Sequence, residues 1–233
     1  MIHLSNRLRK LASYVSTGSV MADIGTDHGY LPVYLVSQGI CTRAVAADIN
    51  KGPLESARAH VEQYQVSGKI DLRLGNGLER VQPGEVDTIV IAGMGGGTIR
   101  DILQASPETA VQARRLILQP MADEAELRNY LVNHGWSLVD EELLLEDNRL
   151  YLILVAERGR EEIAEPLLFE VGPRLLEKKH PLLPVYLQRL QQKYQRILDG
   201  LAKSSQPTVK EKAAQIERKI AKIEKLTQGI NLE

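Results

Sequence analysis

The segment VMADIGTDHGYLP, residues 20–32, runs from a short apolar stretch directly into a polar turn. Val20–Ile24 predicts a buried strand, and Tyr30–Gln38 predicts a helix. The turn between them has the pattern D-x-G-x-x-x-G, which begins at Asp23. A dinucleotide site requires G-x-G-x-x-G, whose middle glycine admits the pyrophosphate. Because Asp27 stands at that middle position, the turn favours a cofactor without phosphate groups.

S-adenosylmethionine has the chemical groups that this turn can bind. Asp23, at the end of the strand, can bind an ammonium group directly or through water. Gly25 allows the backbone to approach a ligand closely. The helix start near Gly29 and Tyr30 favours a carboxylate. The alternative is an ordinary strand-to-helix turn with an aspartate cap.

Two further strand ends carry polar residues suited to the same cofactor. Asp48 ends the predicted strand Ala44–Ile49, and a carboxylate there can accept both ribose hydroxyls, in methyltransferases and NAD enzymes alike. The predicted strand Ile70–Leu74 is followed by Asn76 and Gly77. The Asn76 amide can bond the adenine edge, while Gly77 leaves room for the flat ring. A simple turn is the alternative for this last segment.

The segment IAGMGGGT, residues 91–98, follows the predicted strand Thr88–Ala92 and invites comparison with a phosphate-binding loop. Such a loop places a lysine and a serine or threonine after its last glycine. Here Thr98 follows directly, with no lysine. We therefore expect this loop to present backbone groups and open space. A large side chain at Gly93 or Gly95 is expected to block entry of cofactor or base.

Strands and helices alternate along the first two thirds of the chain. The remaining predicted helices are 5–15, Pro53–Tyr64, Ile99–Leu103 and Asp123–His134, and the remaining strands are Leu116–Gln119, Trp136–Leu145 and Leu150–Glu157. Four residues separate the last two strands, too few for a crossover helix, so they form an antiparallel hairpin. The order predicts an α/β fold of the class I methyltransferase type, a Rossmann-like doubly wound sheet with an antiparallel terminal hairpin.

The pattern changes near residue 160, and we expect two domains, 1–160 and 161–233. After a proline-rich stretch, apolar residues recur at heptad spacing in two segments, Leu183–Leu201 and Val209–Ile223, joined by the polar linker AKSSQPT. Two such helices predict a C-terminal antiparallel coiled coil. Its function stays open between scaffolding or dimerisation and an arm that grips a large substrate.

Composition and charge narrow the class of protein. The chain has 233 residues, of which 43% are hydrophobic and 25% charged. Residues 1–158 carry a net charge of −5 and residues 159–233 a net charge of +4, so the second part can contact an anionic partner. A single cysteine, Cys41, excludes an internal disulfide and favours a cytoplasmic setting. The sequence shows neither a signal core nor a membrane span, so we expect no membrane partner.

Other catalytic chemistries find little support. Asp27 and His28 are adjacent on a turn and point in different directions, so they form no obvious dyad. The remaining histidines are scattered, and no Cys/His cluster has metal-ligand spacing, so we expect no metal.

The motifs together resemble the bacterial tRNA (adenine-22-N1)-methyltransferase family. The matching segments are LSNRLRKLASYV, VMADIGTDHGYLP, AADIN, GNGL, IAGMGGGTI, ILQP and RLYLILVAE. The resemblance covers nearly the whole chain and includes the helical C-terminal part. It implies an S-adenosylmethionine-dependent enzyme that methylates N1 of adenine 22 of tRNA. Alternatives are another RNA adenine, a small amine, or a binding protein without activity, whereas the missing G-x-G-x-x-G disfavours a NAD-dependent oxidoreductase.

The resemblance also implies a set of site residues. Cofactor contacts fall on Asp23, Gly25, Thr26, Asp27, His28, Gly29, Tyr30, Asp48, Ile49, Asn76, Gly77, Ala92, Gly93, Met94 and Gly95. Our candidates for the tRNA backbone are Arg7, Arg9, Lys10, Arg189, Lys193, Arg196 and Lys219. As a hypothesis, Asp27 and Gln119 border the pocket of the target adenine, and Tyr30 or Met94 supports its ring. Because the seam of the coiled coil is used within the hairpin, we expect a monomer.

Overall fold

The computed structural model describes residues 2–201 and 207–231. The chain forms two compact units, with the boundary between Glu162 and Ile163. The boundary predicted from the sequence is two residues earlier. Within the described ranges, no helix is both long and apolar enough to cross a membrane.

The first unit is a sheet with helices on both faces, built from alternating strands and helices. Its strands are β1 (Ser19–Ile24), β2 (Cys41–Asp48), β3 (Ile70–Leu74), β4 (Thr88–Met94), β5 (Arg115–Pro120), β6 (Trp136–Glu146) and β7 (Arg149–Arg158). Its helices are α1 (Asn6–Ser13), α2 (Tyr30–Ser37), α3 (Lys51–Gln63), α4 (Gly96–Ala105), α5 (Pro107–Gln112) and α6 (Glu124–Asn133). The sequence prediction missed α5, whose first residue is a proline, a residue that tolerates the first helical position.

The strand order is β3-β2-β1-β4-β5-β7-β6. Strands β1 to β5 pair in parallel, and β7 lies antiparallel between β5 and β6. The predicted fold class, with its antiparallel terminal hairpin, is therefore confirmed. Strand β1 has β2 on one side and β4 on the other, so the order of the strands reverses between β1 and β4. A crevice forms at such a switch point, outside the carboxyl ends of the strands.

The turn between β6 and β7 is shorter than the four residues that the sequence predicts. Its two residues, Asp147 and Asn148, have φ angles of 49° and 60°, and Glu146 pairs with Arg149 across it. A two-residue hairpin turn needs this left-handed backbone, which aspartate and asparagine tolerate.

The core of the first unit lies on both faces of the sheet, because the central strands are apolar on both sides. Met21 of β1, Val90 of β4 and Ile117 of β5 are fully buried and belong to one cluster with α1 and α2. Ser5 caps α1, since its side chain accepts a hydrogen bond from the Leu8 amide. This cap stabilises the first turn of the helix.

The second unit is helical throughout its described elements. It contains α7 (Leu167–Val171), α8 (Pro173–Glu177), α9 (Leu183–Leu201) and α10 (Pro207–Asn231). The prediction missed α7, which follows Pro166, and α8, which begins at Pro173.

Helices α9 and α10 pack together, as the heptad spacing predicts. The seam of α9 is buried from Leu183 to Tyr194, but Ile197 further along it is 37% exposed. Residues 202–206 of the predicted linker lie outside the described residues, and its last two residues are already helical.

Candidate active site

A cavity of about 520 Å³ lies at the carboxyl ends of β1, β2, β3 and β4. Twelve predicted cofactor residues line it: Asp23, Gly25, Thr26, Asp27, Tyr30, Asp48, Ile49, Asn76, Gly77, Ala92, Gly93 and Met94. The other three, His28, Gly29 and Gly95, are not among the lining residues. The sequence prediction missed Thr98 and Ile102 of α4, which also line it. Their position on the helix after the glycine segment was the available signal.

Asp23 is a buried carboxylate at the end of β1, with only 6% of its surface exposed. Thr26 Oγ1 donates a 2.6 Å hydrogen bond to Asp23 Oδ2. Burial raises the pKa of Asp23 to about 6 from an ordinary 3.8; the Thr26 hydrogen bond opposes this shift, while Asp48 and Asp27 add to it. Near neutral pH the side chain is therefore a poorly solvated anion, which a bound cation would stabilise.

Asp48 is fixed at the end of β2 by two backbone amides. Its Oδ1 accepts from the Asn50 amide at 2.8 Å, and its Oδ2 accepts from the Asp27 amide at 3.3 Å. Each carboxylate oxygen can accept more than one hydrogen bond. The carboxylate is therefore oriented and able to accept hydroxyl groups from a ligand in the cavity.

Apolar surface lies next to these carboxylates. The Ile49 side chain lines the cavity and is 65% exposed. On the other side, Gly77 has a φ of 54° and approaches Ile102 so closely that a Cβ there would lie 2.9 Å from its side chain. Exposed apolar surface beside a narrow glycine turn suits a flat aromatic ring, since covering that surface removes it from water.

The glycine segment has two different functions. Gly93 has a φ of 78° and open space around it, as expected for a loop that faces a ligand. Gly96 is buried, donates from its amide to Ala122 O at 2.8 Å, and approaches Asp123 so closely that a Cβ on Gly96 would lie 2.5 Å from Asp123 O. The Gly96 amide is therefore occupied within the protein and is not directed at a phosphate. Together with the missing lysine, this argues against a phosphate-binding loop.

We predict that Gly96→Ala lowers the free energy of unfolding by about 2 kcal/mol, because its methyl group would overlap two backbone carbonyls. Gly97→Ala is the matched control, since nothing lies within 4 Å of a Cβ at that position. Urea unfolding of both variants measures the difference. Equal stability of the two variants would contradict the packing function of Gly96.

The residues proposed around the target base do not all line the cavity. Met94 and Tyr30 line the cavity, and the end of the Met94 side chain lies beside Gly25. Asp27 also lines it, with a side chain that is 70% exposed. Gln119 is fully buried and absent from the cavity lining, so its place beside the target adenine stays a prediction.

Arg7, which contacts Gln119, lines the cavity at this position. Its Nη1 donates a 2.9 Å hydrogen bond to Gln119 Oε1. Its guanidinium also lies 5.4 Å from the centre of the Tyr151 ring. The sequence could not reveal this contact, because 112 positions separate the two partners.

An aromatic group stands at the edge of the cavity. The Tyr30 ring lies 4.8 Å from that of His60 and 5.6 Å from that of His28. His60 Nδ1 is 2.8 Å from the His28 carbonyl oxygen. In the sequence His60 is one of several scattered histidines, since no local signal connects α3 with the first loop.

The remaining cations proposed for tRNA lie on three helices. On α1, Arg9 donates to the Leu4 carbonyl, and Lys10 forms a 3.0 Å ion pair with Glu142. On α9 the exposed cations are Arg189, Lys193 and Arg196. On α10, Lys219 forms a 2.5 Å ion pair with Glu170 and lies 5.2 Å from the Tyr194 ring. Its charge is thus compensated within the second unit.

Comparisons with known proteins agree with this site. A family model described as a methyltransferase domain matches residues 4–154. The chain is 40% identical to the Bacillus subtilis (strain 168) tRNA (adenine(22)-N(1))-methyltransferase over 196 residues, or 82% of each chain. The structure of the B. subtilis m1A22 tRNA methyltransferase TrmK has a TM-score of 0.90 at 34% identity, covering 97% of this chain and 100% of that one. M. capricolum TrmK, solved with S-adenosyl-homocysteine, has a TM-score of 0.83 at 31% identity, covering 97% of this chain and 99% of the other.

The fold and the cavity thus define a class I methyltransferase. Within that class, the chain belongs to the tRNA (adenine(22)-N(1))-methyltransferase family.

Proposed function

We propose that the chain transfers a methyl group from S-adenosylmethionine to N1 of adenine 22 in tRNA. The observation that carries this proposal is the likeness to a tRNA methyltransferase over 97% of the chain, which includes both units. The cavity also supports it, because its side chains suit the ammonium, ribose and adenine groups of this cofactor.

The residues present fit the cofactor. Asp23, a buried anion, suits its ammonium group, and the oriented Asp48 carboxylate suits its ribose hydroxyls. The surface between Ile49 and Ile102, with Asn76 beside it, suits the adenine ring. The open backbone at Gly93 admits the reacting group and the base. His28, Gly29 and Gly95 stay predictions as contacts, since they stand outside the cavity lining.

The chemistry requires positioning more than proton transfer. S-adenosylmethionine supplies an electrophilic methyl group on a positively charged sulfur. Adenine N1 has an in-plane lone pair and is largely unprotonated at neutral pH, so no residue has to activate it. The protein orients N1 in line with the methyl group and excludes water, which supplies a large part of the rate enhancement. Met94 and Tyr30, both in the cavity lining, are placed to support the ring.

The target base must leave its stack to reach the cavity. N1 is paired or stacked in folded tRNA, so the nucleotide turns outward before transfer. Asp27, which is mostly exposed at the cavity edge, can stabilise the cationic 1-methyladenosine. Loss of a proton from the product can then occur in solvent.

The second unit offers a surface for the tRNA backbone. Arg189, Lys193 and Arg196 follow one another at steps of four and three residues, so they share one face of α9. Lys219 contributes less to this surface, because Glu170 already binds it. Contacts of α9 with phosphate would weaken as salt rises.

Two features bear on the state of the protein in the cell. The buried seam of α9 packs against α10, which supports a monomer. Burial raises the pKa of the Cys41 thiol to about 12, so the thiol is poorly reactive near neutral pH. A cytoplasmic location rests on the single-cysteine composition.

The direct test of the proposed function is methylation of total bacterial tRNA with radiolabelled S-adenosylmethionine, followed by digestion to nucleosides. We expect the label in 1-methyladenosine. Label in another nucleoside, or binding of NAD in place of S-adenosylmethionine, would contradict the proposal.

A further inference from the structure

Arg7 is a cation in the cavity lining whose position is fixed from several sides. Its backbone amide donates to Glu146 Oε1 at 3.2 Å, which holds the start of α1 against the β6–β7 hairpin. Its guanidinium binds Gln119 Oε1 at 2.9 Å and lies over the Tyr151 ring. The side chain is therefore held in one place and is not a loose surface cation.

Gln119 holds the guanidinium through an amide whose other end is also fixed. Its Nε2 donates to the Pro120 carbonyl at 3.0 Å and lies 3.3 Å from Met121 Sδ. Because these contacts orient the amide, its oxygen faces Arg7. The side chain is fully buried, so it acts on a ligand only through Arg7.

The charge of Arg7 is available for an anion. A guanidinium has five N–H donors, and Gln119 accepts from one of its nitrogens. Within residues 2–201 and 207–231, no carboxylate side chain forms an ion pair with this guanidinium. A fixed cation without a counter-charge in a cavity suits a carboxylate or a phosphate group.

The sheet order separates Arg7 from the groups assigned to the cofactor's charged end. Asp23 ends β1, whereas Gln119 belongs to β5, and β4 lies between the two strands. At a strand spacing of about 4.8 Å, the two strand ends are about 10 Å apart. Arg7 therefore lies beside the end of β5, on the far side of β4 from Asp23.

The acceptor's chemistry decides which of its groups Arg7 binds. Adenine N1 needs its lone pair for the methyl group, and a donor at another ring nitrogen would withdraw electron density from N1. A cation against the ring would also disfavour the cationic product. Binding the phosphate of the same nucleotide neither withdraws electron density from N1 nor disfavours the cationic product. A guanidinium can also donate to two of its oxygens at once.

We infer that Arg7, held by Gln119, is a positioning residue that binds the backbone phosphate of the nucleotide turned into the cavity. This inference rests on the proposed function, since it requires a nucleic-acid substrate. It replaces the direct contact with the base that the sequence suggested for Gln119.

Binding of tRNA and of S-adenosylmethionine, measured separately for each variant, tests the inference. We expect Arg7→Ala to weaken tRNA binding about tenfold or more and to lower the slope of log Kd against log salt by about 1. The dissociation constant for S-adenosylmethionine should change less than about threefold, since the inferred contact is with the RNA. Arg7→Lys should keep the salt slope while losing part of the affinity, because it keeps the charge and loses the fork. Arg58→Ala, an exposed arginine on α3 that lies outside the cavity lining and is not among the tRNA candidates, is the matched control and should affect tRNA binding less.

Gln119→Met tests the positioning step with a side chain of similar size. We expect several-fold weaker tRNA binding in the wild-type background and no further loss when Arg7 is already alanine. Normal affinity for S-adenosylmethionine shows that this variant is folded; should it fail to fold, the Arg7 variants still decide the question.

Three results would overturn the inference. Weaker binding of S-adenosylmethionine by Arg7→Ala, with an unchanged tRNA salt slope, would assign Arg7 to the cofactor's carboxylate. A loss of kcat alone would assign it to the base or the reacting atoms. Additive effects of the Arg7 and Gln119 variants would separate the two residues. If instead the wild-type protein failed to methylate adenine 22, the proposed function would fall, whereas the salt slopes would still report on a phosphate contact.

Discussion

Asp23→Asn is expected to weaken S-adenosylmethionine binding by about 100-fold or more while leaving the unliganded protein as stable as before, or more so. Asparagine keeps the shape of the side chain but removes the negative charge that matches the ammonium group. Removing one partner of a buried ion pair costs about 3 kcal/mol or more. Isothermal titration calorimetry and urea unfolding measure the two quantities.

The stability effect of Asp23→Asn has a defined pH dependence. Burial raises the pKa of Asp23 to about 6, so its ionised form destabilises the folded state. The wild-type protein is favoured by this group below its ordinary pKa of 3.8 and loses that contribution as pH rises through about 6. Asparagine should therefore raise the stability relative to wild type at about pH 8, and this advantage should disappear near about pH 4.

The same pKa governs the cofactor affinity. Since the ammonium group binds the ionised carboxylate, affinity should fall as pH decreases below about 6, by up to about tenfold per pH unit. Asp101→Asn is the matched control, because this carboxylate is exposed and lies outside the cavity lining, so the affinity should not change. Unchanged affinity of Asp23→Asn at about pH 8, where the wild-type carboxylate is ionised, would contradict the ammonium assignment.

Asp48→Ala is expected to weaken S-adenosylhomocysteine binding by about 150-fold or more, because it removes the acceptor for two ribose hydroxyls. Each hydrogen bond to a charged group contributes about 1.5–3 kcal/mol. The variant also leaves the amides of Asn50 and Asp27 without their acceptor, so part of the loss reflects a less ordered loop.

A ligand lacking the ribose 2′-hydroxyl separates these two causes. Wild-type protein should bind 2′-deoxy-S-adenosylhomocysteine more weakly than the parent compound, whereas Asp48→Ala should bind the two compounds alike. If the variant still discriminated between them as strongly as wild type, Asp48 would not be the ribose acceptor.

The sheet and the cofactor half of the cavity could be predicted from local sequence. Asp23 and Asp48 stand at the ends of apolar runs, Asn76 follows the strand Ile70–Leu74 by two residues, and the carboxyl ends of parallel strands meet at one edge. The hairpin was predictable because too few residues separate Trp136–Leu145 from Leu150–Glu157 for a helix. These inferences need only neighbours in the chain and the rules of strand pairing.

The acceptor half could not be predicted in the same way. The contact between Arg7 and Gln119 joins α1 to β5, and a polar residue at a strand end gives no sign of whether it faces the cavity or lies beneath another side chain. Gly96 and Gly93 look alike in sequence, yet only the packing of α4 against residues 122–123 makes one of them a packing glycine. Short helices such as α7 and α8 also escaped prediction, because five residues hold too little periodicity.

The central claim is that the chain methylates N1 of one adenine of tRNA in the cavity at the ends of β1 to β4. The most direct measurement uses an unmodified tRNA transcript with adenine at position 22 and a second transcript with guanine there. N1 methylation blocks base pairing, so reverse transcription stops beside the modified base. We predict a stop at position 22 in the first transcript and none in the second, and loss of the stop with Asp23→Asn. Methylation of both transcripts to the same extent, or a stop at another adenine, would contradict the claim.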